Sequence, residues 1–339
     1  HIKKILKVSR SETAILLARH AAESAGDEQE AARESLYSLD APNTNQTVLS
    51  SIMQVEPDPR LELIMSIDDR RILTGTEILL ETAQNPNART RVESVRVLAN
   101  VADPNYLSQM LELLADARNS TERAELENAI VAISLRKPAD SNRAEEVLNR
   151  YDATQNTDTR ASLIQILGNI GAEEGLATIQ NAIESNNSDI KVAAIRALSA
   201  WPNSEPASDL LQVVQNTNSN TQKILALRGY VQLLSFESEN AEVVEKYRQA
   251  MELAPNVNER RTVLSGLADV KSLAALELAA DYLDSSSLKS EAEVAVVQIS
   301  QDIYDEYPQQ TKDILEQVIR SSQNESLTEE AKEVLVQLN

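Results

Sequence analysis

Residues 187–200 read NSDIKVAAIRALSA, and residues 156–169 read NTDTRASLIQILGN. Aligned, both start on an asparagine (Asn187, Asn156), follow it with an aspartate (Asp189, Asp158), and then a basic residue (Lys191, Arg160). After that come apolar side chains at every third position: Val192, Ile195 and Leu198 in one, Ala161, Ile164 and Leu167 in the other. A three-residue apolar step places one stripe along a helix, so each stretch predicts an amphipathic helix with an Asx residue at its start. Two near-copies one hairpin apart predict a repeat, and the repeat decides the fold.

Working outward, the closing residue of the stripe recurs at Leu39, Ile67, Leu98, Ile133, Leu167, Leu198, Leu233, Leu267, Ile299 and Leu338. The interior steps are roughly 31–35 residues, the length of two helices and two short turns. Between these second helices lie first helices with their own spacing, such as Tyr106, Met110, Leu113 and Leu114, or Leu176, Ile179 and Ile183. Asp103, Ser141 and Ser204 read as starts of first helices. The expectation is an all-α protein, a right-handed α-α superhelix of about ten helical hairpins running as one solenoid over residues 1–339. The segment SLRKPADSN at 134–142 breaks the pattern and predicts a loop or bend at 135–142. Ala292 and Ala331 stand where earlier repeats carry a basic residue, so 300–339 reads as degenerate capping repeats.

Composition agrees with helices packed on helices. Aromatics are 3% of the 339 residues, and small and medium aliphatics make up most of the 42% hydrophobic content. The formal net charge of −21 excludes a phosphate-binding basic footprint and argues against nucleic acid as partner. No apolar run reaches the roughly 20 residues of a membrane span. With no cysteine and only His1 and His20, disulfides, thiolate chemistry, cofactor attachment through cysteine and histidine-based metal sites have no residues to use, so no metal and no cofactor are expected. The chain starts at His1 without methionine, which reads as a piece of something longer. The richness in Asn, Gln and Ser leans towards an extracytoplasmic setting, periplasmic or secreted.

Candidate residues fall into two sets. Seven positions before the anchor stand Arg60, Arg91, Arg160, Lys191 and Arg260; two positions earlier come Asp58, Asp158 and Asp189. Their reading is structural, with Asx side chains capping each second helix and the basic residue reaching the neighbouring turn. The second set, Arg96, Gln165, Arg196 and Arg228, occupies solvent-side positions of second helices, where a solenoid binds on its concave face. Long side chains of mixed sign suit a protein partner, with carbohydrate as the alternative. Asp68-Asp69 and Glu173-Glu174 are the tightest carboxylate pairs and read as surface charge, leaving no catalytic constellation. Gly168, Gly171 and Gly175 read as a helix end and turn. Trp201, three after its anchor, aligns with Val101, Ile170, Phe236 and Val270, so Trp201 and Phe236 are expected to pack at hairpin junctions.

QKILALRGYVQLL at 222–234 and ERRTVLSGLADVKSLAALELAADYL at 259–283 resemble a bacterial HEAT-repeat family of exported multidomain proteins. The similarity runs over most of residues 60–300. The resemblance implies a HEAT/armadillo-like solenoid whose stacking ladder is formed by the Asp and Arg positions above. It also implies a non-catalytic scaffold or recognition arm beside 3-keto-disaccharide hydrolase-like or cytochrome-like domains, working in polysaccharide handling at the envelope.

Overall fold

The computed structural model describes residues 12–238 and 241–338; His1 lies outside the described residues. Twenty α-helices and two short 3-10 turns account for the regular structure among them. Contacts divide the chain into two compact units, the first ending at Leu176 and the second starting at Ala177.

The first unit holds α1 (Thr13–Glu23), α2 (Asp27–Tyr37), α3 (Thr44–Ser51), α4 (Pro57–Asp69), α5 (Thr76–Thr82), α6 (Ala88–Val101), α7 (Leu107–Ala115), α8 (Ser120–Leu135), α9 (Glu145–Ala153) and α10 (Thr157–Ile170). Second helices stack in order, α4 on α6, α6 on α8 and α8 on α10, while α5, α7 and α9 back them as first helices. The division falls within α11 (Glu173–Ile183). The second unit continues with α12 (Ser188–Ser199), α13 (Ala207–Asn216), α14 (Asn220–Leu234), α15 (Ala241–Leu253), α16 (Val257–Leu267), α17 (Leu273–Ala280), α18 (Lys289–Ile303), α19 (Pro308–Ser321) and α20 (Glu325–Gln337). There α12, α14, α16, α18 and α20 form the stacked row.

The eight interior anchors, Ile67, Leu98, Ile133, Leu167, Leu198, Leu233, Leu267 and Ile299, are each 0% exposed. Full burial of one aliphatic residue per repeat is what a stack of helical hairpins requires of its core. The two terminal anchors differ from the sequence reading. Leu39 lies in the turn beyond α2 and Leu338 is the residue that ends α20, both half-buried. At the amino end α4 packs on α1 as well as on α2, so the stack does not begin as a copy of the interior repeats.

Helix starts also depart from expectation at two places. Ser141 spends its hydroxyl on the Pro138 carbonyl, and Asn142 accepts from the Ala144 amide ahead of α9. Near α13, Asn203 accepts from the Glu205 amide, and Pro206 precedes the first helical residue. In both turns an Asx side chain takes the free amide two residues on, an Asx turn that leaves the neighbouring serine without that role. Residues 136–144 connect α8 to α9 without helix, tied by Arg143 Nε to the Lys137 carbonyl. Ala292 and Ala331 are fully buried in α18 and α20.

Two glycines are required by geometry. Gly171 ends α10 at φ +62°, ψ 25°, its amide donating to the Leu167 carbonyl. Gly229 lets α14 approach α12 so closely that a Cβ would stand 1.9 Å from Ser199 Oγ. Trp201 is 2% exposed and packs as its alignment suggests, but Phe236 is 52% exposed. Both stand two residues past the end of a second helix, Ser199 of α12 and Leu234 of α14, with the same amide bond back to the anchor carbonyl, so place in the repeat does not by itself bury an aromatic.

Candidate interaction surface

The second helices are built from the same start. Asn87 accepts from the Thr90 amide at 3.2 Å, Asn119 from Glu122 at 2.9 Å, Asn156 from Thr159 at 2.9 Å, and Asn256 from Glu259 at 3.1 Å. Asn187 accepts from both Asp189 and Ile190. Each bond satisfies an amide that the first helical turn leaves open.

In two of these starts the residue three after the asparagine is glutamate, and that carboxylate is buried: Glu122 is 5% and Glu259 is 2% exposed. Each receives an arginine from the preceding second helix. Arg91 donates Nε and Nη2 to Glu122 Oε2 at 3.0 and 2.9 Å, and its Nη1 serves the Asn85 and Pro86 carbonyls. Arg228 meets Glu259 through two bonds of 2.8 Å. Arg33 on α2 makes the same fork to Glu62 on α4 at 2.7 Å twice, and Glu62 is 4% exposed. Two-pronged pairing supplies what a buried carboxylate needs, since an unpaired one would be expelled or protonated. The reciprocal effect holds the Arg33 and Arg228 guanidiniums above their usual pKa, through the hydrogen bonds to Glu62 and Glu259.

Two further arginines join neighbouring repeats through backbone. Arg70 donates to the Leu36 and Tyr37 carbonyls at the end of α2, and Arg136 to those of Ala99 and Ala102 at the end of α6. Both stand three after an anchor, where Val101, Ile170, Trp201 and Val270 are apolar. A cation at a helix carboxyl end meets both open carbonyls and the negative end of the dipole.

The residues singled out by the repeat pattern are placed as follows. Arg60 folds onto the turn ahead of its own helix, donating to the Ile52 and Val55 carbonyls at 2.9 Å each. Arg160 lies over the Tyr151 ring, 4.4 Å from its centroid. Lys191 lines a small cleft of about 180 Å³ beside Gln180 and Asp209, which bond each other at 2.9 Å. Arg260 is exposed with no bond among the described residues. Asp58 meets Arg89 at 3.3 Å, with both side chains open to solvent, while the side chains of Asp158 and Asp189 are exposed and make no hydrogen bond among the described residues. Among the described residues within each unit, no basic residue of this series pairs with one of its aspartates.

Of the four proposed contact residues, Arg96 bridges Glu93 at 2.9 Å and Glu125 at 2.8 Å, and Arg228 is committed to Glu259. Arg196 is exposed without an ion pair among the described residues. Gln165 lines a hollow of about 390 Å³ with Asp158, Arg123 and Glu127. Burial raises the Glu127 carboxyl above its usual range against the pull of Ser162 and Arg123. Arg96 and Gln165 belong to the first unit, Arg196 and Arg228 to the second. Arg96 also borders a groove of about 450 Å³ between α2, α4 and α6.

Elsewhere, Asp68 accepts from Asn100 at 2.6 Å, and Glu173 and Glu174 occupy the solvated first turn of α11. Among the described residues no three His, Asp or Glu side chains are grouped as metal ligands, and no helix is long and apolar enough to cross a membrane. His20 stands 3.3 Å from Glu28. With Trp201 buried, the one tryptophan offers no face to a sugar ring.

Residues 144–228 match a family model described as HEAT repeats, from the start of α9 into α14. No curated protein matches the chain. Among solved structures it is similar to Kap121p, with TM-score 0.63 and 9% identity over 97% of this chain. It is also similar to Kap121p bound to Pho4p (TM-score 0.62, 10% identity, 98% of this chain) and to Kap121p bound to Nup53p (0.62, 10%, 97%). The chain spans 42% of each of those chains, and at such identity the likeness speaks to fold alone. Repeat chemistry and fold likeness agree: this chain is an all-α, solenoid-type protein of helical hairpins, similar to HEAT repeats over residues 144–228.

Proposed function

We propose that the chain is a non-catalytic scaffold that holds protein partners on the face of its second helices, as one module of a larger exported bacterial protein. The observation that carries this reading is the pair of guanidinium–carboxylate forks Arg33–Glu62 and Arg228–Glu259, whose arginine side chains stay 34% and 55% exposed. They fix long polar side chains in advance, so a partner does not bear the full entropy cost of ordering them. The fold supports the same role, since Kap121p, similar in fold, is seen bound to the proteins Pho4p and Nup53p. The resemblance of residues 222–283 to exported HEAT-repeat proteins supports the compartment.

The test is a native pull-down with the chain as bait, washed at low salt and then at roughly 0.5 M, where exposed ionic contacts are screened. A retained protein that crosslinks to photo-reactive residues placed at Gln165 or Arg196 supports the scaffold. Recovery of no protein from the native extract would sink it. Fractionation showing a tagged gene product inside the cytoplasm would remove the exported part.

A further inference from the structure

We propose that the groove between α2, α4 and α6 docks an extended segment of a partner protein through a lysine or arginine side chain, seated beside Glu93 and the Arg96 that Glu93 shares with Glu125, a residue outside the groove's lining. This rests on the interaction-module reading above and names the surface and the chemistry of its partner. The groove encloses about 450 Å³. Its floor is aliphatic, from Leu61, Met65 and Val92, and suits the methylene stem of a basic side chain.

Charge decides what the groove accepts. Glu62 is saturated, each oxygen taking one bond of 2.7 Å from Arg33. Asp58 and Arg89 form an outer, solvated pair that is neutral in sum. Arg96, by contrast, is one guanidinium divided between two recessed carboxylates, Glu93 at 18% and Glu125 at 25% side-chain exposure. One negative charge is left over there, in a partly desolvated place where it is weakly screened. Burial holds the Glu93 carboxyl above its usual range against the pull of Arg96 and Arg33, with Glu125 and Asp68 adding to the rise. An arriving cation restores the balance, and an arriving carboxylate worsens it.

Binding of a short labelled peptide of lysine, leucine and glycine to the full chain, followed by fluorescence anisotropy at low salt, tests the assignment. The lysine peptide is expected to bind saturably, and its glutamate counterpart to bind far more weakly. Glu93→Gln combined with Glu125→Gln should weaken the lysine peptide about tenfold or more, while Glu252→Gln on α15 leaves it unchanged. Far-ultraviolet circular dichroism checks that the double variant stays folded. Equal binding of the two peptides, an unaffected double variant, or no peptide binding alongside a partner retained in the pull-down would each overturn this groove while leaving the scaffold reading intact. Failure of the pull-down itself overturns the reading beneath it.

Discussion

Arg91 and Glu122, thirty-one positions apart in the sequence, form a buried ion pair at 2.9 Å between α6 and α8, with side chains 5% and 6% exposed. The guanidinium spends its remaining donor on the turn ahead of α6, so one residue joins a turn, its own helix and the next repeat. Removing one partner strands the other charge in a dry place. Glu122→Leu and Arg91→Met are each expected to cost about 3–5 kcal/mol. The double change should cost much less than the two single costs added, because no charge is left alone. Urea unfolding followed by circular dichroism measures this, and additive single effects would show that the pair is not coupled.

Close approach of α12 and α14 predicts an unusual sensitivity to a single methyl group. Gly229→Ala would place Cβ 1.9 Å from Ser199 Oγ and 2.6 Å from Ser199 Cβ. The helices must part, at about 1–3 kcal/mol. Ser199→Ala should not rescue the variant, since the Cβ clash remains, whereas Ser199→Gly should. Thermal melting of the four proteins gives the answer.

Much of this fold was legible in the sequence because stacking burdens one position per repeat: the anchors from Ile67 to Ile299 are fully buried and recur with the hairpin length. The asparagines ahead of the second helices were legible for the same reason, since a helix start needs an acceptor at a fixed offset. The interaction surface was less so. The pairs Arg33–Glu62, Arg91–Glu122 and Arg228–Glu259 join different repeats, and a search for residues shared by every repeat passes over partners present in only some of them. Two of the three did leave a signal, an Asn-x-x-Glu start (Asn119 to Glu122, Asn256 to Glu259) with an arginine thirty-one residues before the glutamate. Arg70 and Arg136 hid in a column that is apolar at Val101, Ile170, Trp201, Phe236 and Val270, because a carbonyl cap and an apolar plug can fill the same gap between hairpins.

That column also separates two aromatics that align. Trp201 is 2% exposed and Phe236 is 52% exposed. Trp201→Ala is therefore expected to cost about 3–5 kcal/mol through the cavity it leaves. Phe236→Ser should stay within about 0.5 kcal/mol, as for other exposed sites. Equal losses in chemical unfolding would show that Phe236 is covered in solution, by a partner or by a second copy of the chain.

Tyrosine burial sets the alkaline limit of the second unit. Tyr230 is 2% exposed, its hydroxyl has no hydrogen-bond partner among the described residues, and burial pushes its pKa from 10.0 up to about 12. Burial raises Tyr247 in the same direction, with Asp269 and Glu237 adding to it. A folded-state pKa above the unfolded one means that the stabilising preference for the neutral phenol is intact below pH ~10, where neither state ionises. It is lost as pH rises towards about 12, because the unfolded chain releases its proton first. Tyr230→Phe removes both the ionisation and an unsatisfied buried hydroxyl. Its expected outcome is unchanged or higher stability near neutral pH and a shallower loss of helix between pH ~10 and ~12. Circular dichroism across that range decides it: a variant that loses helix as steeply as the parent would assign the alkaline transition to other groups, Tyr247 first among them.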